Sequence, residues 1–113
     1  MNLKIEIKLL ESFTKDVKKL LKKYKQLPSD LKNLQTELLQ NPKAGIELGN
    51  SVYKIRVANS SIPTGKRGGF RVIYYYLDSD NNNLYLMSIY SKTDLENVDE
   101  KVILQILKNN SLL

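Results

Sequence analysis

The sequence predicts an α+β domain in the order β-α-α-β-β-β-α, with a mainly antiparallel sheet, a helical hairpin and a C-terminal helix. Three observations predict it. Apolar and polar residues alternate near the N-terminus and again in the second half of the chain, the period of a strand with one wet face. Between those stretches the apolar residues recur at helical spacing, interrupted once by a proline. A final helical stripe follows the last strand. One sheet with helices laid on it is a layered α+β arrangement. A length of 113 residues, 42% hydrophobic, suits a single domain spanning 1–113, with no linker or internal repeat.

Each element has a local reason. In "LKIEIKLL", Leu3, Ile5 and Ile7 fall on one side and Lys4, Glu6 and Lys8 on the other. Ser12 is placed to cap a first helix, in which Phe13, Val17, Leu20, Leu21 and Tyr24 form the apolar stripe between lysines. Pro28 ends that helix and Ser29 caps a second, striped by Leu31, Leu34, Leu38 and Leu39. So short a link makes the two a helical hairpin. The segment "NPKAGIELGNS" reads as a loop. "VYKIRVA", "FRVIYYYL" and "LYLMSIY" read as three strands, the last two joined by the turn-forming "DSDNNN". Asn97 with Glu100 fits a capping box for the last helix, whose stripe is Val98, Val102, Ile103, Ile106 and Leu107.

Composition narrows the chemistry. The chain has no Cys and no His, which excludes disulfides, thiolate nucleophiles, imidazole acid–base chemistry and zinc sites built on those ligands. Neither a metal nor another cofactor is expected. No apolar run approaches a membrane span, and the N-terminus lacks the apolar stretch of a signal peptide, so a cytoplasmic protein without membrane contact is expected. Eighteen basic against twelve acidic residues give a net charge of +6. That balance favours a polyanionic partner such as nucleic acid, although basic surfaces also serve solubility.

The basic residues of the second half are patterned. Lys54 and Arg56 lie two apart on one strand and share a face; Ser88, Tyr90 and Lys92 do so at the end of another; Arg71 opens the strand between. In a consecutive antiparallel meander Arg56, Arg71, Tyr90 and Lys92 converge at one edge, with Lys66 and Arg67 above them on the glycine-rich turn. Guanidinium forks and ammonium groups suit phosphodiester oxygens, glycines admit main-chain N–H groups to an anion, and a tyrosine can stack on a base or donate to it. Tyr74, Tyr75 and Tyr76 are expected chiefly in the core.

The motifs "NPKAG", "YKIRVA", "GKRGGFRVIYYYL" and "MSIYSKTD" resemble the RelE/ParE superfamily of toxins from type II toxin–antitoxin pairs, in particular its HigB-like branch, over nearly the whole chain from Val17 to Leu107. The resemblance implies a ribosome-dependent, metal-independent mRNA endonuclease that inhibits translation. It implies Arg56, Arg71, Tyr90 and Lys92 as catalytic residues and Lys54, Lys66 and Arg67 as RNA-binding ones. It also implies a cognate antitoxin, a HigA-like helix-turn-helix protein through which operator DNA is bound, besides the ribosome and its mRNA. A ParE-like inhibitor of DNA gyrase, a non-catalytic nucleic-acid-binding module and a degenerate toxin that only pairs with its antitoxin are the alternatives.

Cleavage by 2′-OH attack needs a base, and without His the candidates are Lys92, Lys54, Tyr90 or a carboxylate such as Asp94. A lysine titrates near 10.4, too high for a base at neutral pH, unless neighbouring cations lower it.

Overall fold

The chain was described from a computed structural model, over residues 4–62, 68–77, 82–95 and 97–113. Its elements are β1 (Glu6–Leu9), α1 (Glu11–Leu21), α2 (Leu27–Gln40), β2 (Ile46–Gly49), β3 (Val52–Val57), β4 (Phe70–Tyr76), β5 (Asn83–Ser91) and α3 (Glu100–Asn109). The strands of the described residues form one sheet in the order β1-β5-β4-β3-β2. Neighbours are antiparallel except β1, which runs parallel to β5. The expected meander is therefore present as β3-β4-β5. Leu3 and residues 78–81 of the "DSDNNN" turn lie outside the described residues.

Alternation along the strands sends side chains to two cores. Tyr53, Ile55 and Val57 of β3 and Phe70, Val72, Tyr74 and Tyr76 of β4 pack with Phe13, Tyr24, Leu27, Leu34 and Leu38 from α1, α2 and their connection. The opposite face, with Val52, Ile73, Tyr75, Met87 and Tyr90, packs on Ile103, Ile106 and Leu107 of α3. The sheet is thus the middle of three layers, and β4 is buried along its whole length. A fully buried side chain such as Phe70 contributes roughly 1.5–3 kcal/mol by leaving water. The tyrosine run falls in these cores as the sequence predicts, with Tyr74 stacked on Tyr53 at 5.2 Å between ring centroids.

Several local expectations are corrected. Ser12 is not a cap: α1 starts after Leu10 without a side-chain cap, and the Ser12 hydroxyl donates to the Met87 carbonyl at 2.6 Å. Pro28 does not stand between the helices but in the first turn of α2, where its missing N–H costs nothing, and Ser29 is inside the helix. The buried stripe of α2 is Leu27, Leu34 and Leu38, while Leu39 is exposed. The cap of α3 is Asp99, which accepts from the Lys101 N–H at 2.9 Å, and Val102 faces solvent. The segment read as a loop contains β2, an edge strand exposed at every position. Its turn into β3 passes through Gly49, Asn50 and Ser51, all with positive φ.

β1 pairs with β5 only from Asn83 to Leu86. Beyond it, α1 closes the strand edge with side chains. Ser12 takes the Met87 carbonyl, and the Asp16 carboxylate accepts from the Ile89 N–H at 3.1 Å and the Ser88 hydroxyl at 3.0 Å. A bulge on β5 leaves Met87 as the extra residue between the pairs Ile73–Ser88 and Tyr74–Leu86, which bends β5 where its edge passes from β1 to α1. Asp16→Ala leaves two buried donors without an acceptor, a loss of about 1–3 kcal/mol. Calorimetry should read it as a Tm lowered by about 4–8 °C for each kcal/mol, with Asp16→Asn much closer to wild type.

Candidate functional site

The ladder itself assembles the site. Arg56 of β3 pairs across to Arg71 of β4, and Arg71 pairs across to Tyr90 of β5. Cross-strand partners share a face, so the three form a row on the α3 side of the sheet. Lys54 lies two residues along β3 on that same face. Lys92 follows the end of β5, held by its N–H donating to the Gly69 carbonyl at 3.0 Å. Lys54, Arg56, Arg71 and Lys92 line one cleft of about 510 Å³, walled on its outer side by Ile46 and Leu48 of β2. Its described lining carries four cations and no carboxylate. Sequence reasoning missed the β2 wall; its only signal was the apolar pair Ile46 and Leu48 two residues apart.

Tyr90 does not line the cationic cleft. It lines an adjoining cavity of about 460 Å³ between the sheet and α3, which shares Lys54 and Leu48 with the cationic cleft. Lys66 and Arg67 lie outside the described residues. The hydroxyl of Ser88, expected beside Tyr90, is directed to Asp16. Asp94 does not line the cleft; it pairs with Lys23 at 3.4 Å, fastening the segment after β5 to the end of α1.

Burial comes first in the electrostatics of the site, and crowding adds to it. Arg71 is 4% exposed; burial, and then the charge of Arg56, hold its pKa below the ordinary arginine value, with Tyr90 opposing. One of its terminal nitrogens donates to the Phe70 carbonyl at 3.2 Å. Lys54 is lowered from 10.5, first by burial and then by Lys92, Arg71 and Arg56. Its ammonium nitrogen reaches the Asn97 side-chain oxygen at 2.8 Å, so the residue expected as a helix cap is instead a lysine acceptor. Burial raises the Tyr90 phenol, against the pull of Arg71, so it stays protonated at neutral pH. Among the described residues that hydroxyl is buried without a hydrogen-bond partner, an arrangement that ordinarily costs about 1–3 kcal/mol.

The surroundings hold this arrangement. The Tyr74 hydroxyl, pushed up to about 12 by burial, donates to the Pro42 carbonyl at 2.8 Å and accepts from the Gly45 N–H at 3.0 Å. This anchors "NPKAG" against β4 just before β2 begins. Hydroxyls of Tyr24, Ser91 and Thr93 link in a chain beside Lys92. Asp30, buried in α2, accepts from the Ser60 N–H and fixes the exit from β3.

This architecture is the RelE-type α+β fold. Two structures of E. coli toxin RelE match it. One is an arginine-to-alanine double mutant in the free state, with TM-score 0.58 and 18% identity over 94% of this chain and 97% of that one. The other is the isolated RelE toxin, with TM-score 0.54 and 18% identity over 93% and 97%. A conserved hypothetical protein from Helicobacter pylori is 22% identical over 80% of this chain and 97% of that one, at TM-score 0.46. No family model matches the sequence. Among the described residues no helix is long and apolar enough to cross a membrane.

Proposed function

We propose that this protein is the toxin of a type II toxin–antitoxin pair, of the RelE/ParE superfamily and its HigB-like branch, and that it cuts mRNA on the ribosome. The observation that carries this reading is the cleft in which Lys54, Arg56, Arg71 and Lys92 converge from three strands. Four cations with no carboxylate in the described lining suit a phosphodiester that gains charge as it reacts.

Arg56 and Arg71 bind the phosphate oxygens as the 2′-oxygen adds to phosphorus. Lys54, its charged form disfavoured first by burial and then by its neighbours, takes the 2′-OH proton. The P–O5′ bond breaks, and Lys92 as an ammonium supplies a proton to the 5′-oxygen. The products are a 2′,3′-cyclic phosphate and a 5′-hydroxyl, with no metal needed. Acid–base help of this kind contributes only about 10²–10⁴-fold. Alignment of the mRNA by the ribosome supplies much of the remainder, so free RNA is a poor substrate. The cognate antitoxin, a HigA-like helix-turn-helix protein, restrains the toxin and carries it to operator DNA. The protein acts in the cytoplasm.

Primer extension on mRNA from a translating extract tests this. Cuts at ribosome-occupied codons are expected. Equal cleavage of naked RNA overturns the ribosome dependence, and salt-sensitive RNA binding without any cuts marks a binding module instead. Inhibition of supercoiling marks a gyrase inhibitor.

The pH dependence has a sign. A base must be neutral, so the rate should rise with pH toward a plateau set by Lys54, with a midpoint below 10.5 that bound phosphate moves back upward. Lys54→Gln should flatten that rising limb and lower the plateau by about 10²-fold or more, read in a purified ribosome assay. Tyr90 should add no limb at neutral pH, since its phenol is raised.

A further inference from the structure

We infer that the cavity beneath α3 is a nucleobase subsite: it takes the base of the nucleotide whose phosphate lies in the adjoining cationic cleft, and the Tyr90 hydroxyl donates to that base. The inference rests on the proposed RNA substrate and adds to it a pocket for a second part of the same molecule.

Three observations combine. The cavity, about 460 Å³, lies within the range of ~300–1,000 Å³ typical of small-ligand sites. Its apolar floor is formed by Val52 and Ile73 from the sheet and Ile103 and Leu107 from α3, surfaces against which a flat ring packs. One of its lining residues carries a polar group in need of a partner: Tyr90 is 6% exposed, and its hydroxyl makes no hydrogen bond among the described residues. Every nucleobase edge offers an acceptor to such a donor.

The placement selects the ligand. Lys54 lines both this cavity and the phosphate cleft, as does Leu48, so the two sites are contiguous. A molecule filling both must be anionic at one end and flat, apolar-faced and acceptor-edged at the other. A nucleoside monophosphate unit has that form. Asn97, which holds the Lys54 ammonium, also lines the cavity and stands at the junction between ring and phosphate.

The test compares adenosine 5′-monophosphate with ribose 5-phosphate, titrated into the whole protein and followed by NMR. Both share the phosphate and sugar; only one carries a base. The nucleotide should bind about 10-fold or more tightly, with the largest shifts at Val52, Ile73 and Ile103. Tyr90→Phe, which keeps the ring, should remove most of that advantage and leave ribose 5-phosphate binding unchanged. Ile103→Trp, which fills the cavity, should abolish it. Equal affinities for the two ligands in the wild type, or no binding of either, overturn the inference; equal affinities are also what a pocket for an apolar side chain of a protein partner would give. So does a nucleotide preference that survives both substitutions. Cleavage in the translating extract is read separately, so loss of the base subsite and loss of the nuclease reading give different results.

Discussion

Arg71→Ala should abolish mRNA cleavage in the translating extract, lowering the rate by at least about 10²–10³-fold, the usual cost of removing one donor aimed at developing charge. Three features make it the most damaging single change. Arg71 is central in the row, paired to Arg56 on one side and Tyr90 on the other. It is the least exposed cation of the cleft, so its charge is screened least by water. Its backbone is fixed in the middle of the sheet, between β3 and β5. Arg71→Lys retains a charge but not the fork, and should recover only a small part of the loss. Removing the guanidinium also removes repulsion on Arg56 and Lys54. The folded state should therefore survive, and a thermal melt beside the cleavage assay separates lost chemistry from lost structure. Cleavage near the wild-type rate in folded Arg71→Ala would remove the phosphate role from this residue.

Gly69→Ala should produce the largest loss of stability among single small substitutions. A Cβ built there would stand 2.2 Å from the Val57 carbonyl oxygen, 3.0 Å from the Asn59 N and 3.2 Å from the Ala58 Cα. All three are backbone atoms of the chain leaving β3, so relief requires moving a strand end. Overpacking of this kind costs about 3 kcal/mol, the upper end of the usual range, and should lower Tm by more than about 10 °C. The Gly69 carbonyl also receives the Lys92 N–H. Where the variant still folds, cleavage should fall because Lys92 is displaced. The glycine at the start of β4 thus acts through close backbone packing, a different use from the anion-binding one that its basic neighbours suggest.

The parts of the molecule that alternation controls were legible in the sequence. Lys54, Arg56, Arg71 and Tyr90 are on one face because their strands have a period of two and their connections permit a meander. The two-sided burial of β4 follows from its apolar run over residues 72–76, with Arg71 as the one charged residue of the strand. The helix ends were not legible, because a serine or asparagine near a helix start has other uses. Ser12 serves the open edge of β5 and Asn97 serves Lys54, both contacts with residues distant in the chain. Pro28 misled because a proline suits a first turn as well as a break. β2 was illegible for a different reason. Neither of its faces is buried and it is four residues long, so its hydrophobic pattern is only the pair Ile46 and Leu48, and its pairing partner more than its own residues makes it a strand. The division of the site into a cationic cleft and a separate cavity for Tyr90 depends on where α3 lies, which no periodicity encodes.

The lowered pKa of Lys54 has a thermodynamic side. Its value in the folded chain is below that of the unfolded chain, so between the two the unfolded chain binds more protons and folding gains as pH rises. At neutral pH the penalty is fully present: the protein folds against the burial of the Lys54 ammonium and, after that, against its own clustered charge. Any polyanion that occupies the cleft offsets the like-charge part of that penalty, and so acts as a folding ligand whose effect grows with the logarithm of its concentration. Heparin, a short RNA or an acidic peptide should each lengthen the survival of this protein against heat and proteases, whatever their sequence. The survival of the fold should then depend in part on which anions surround it.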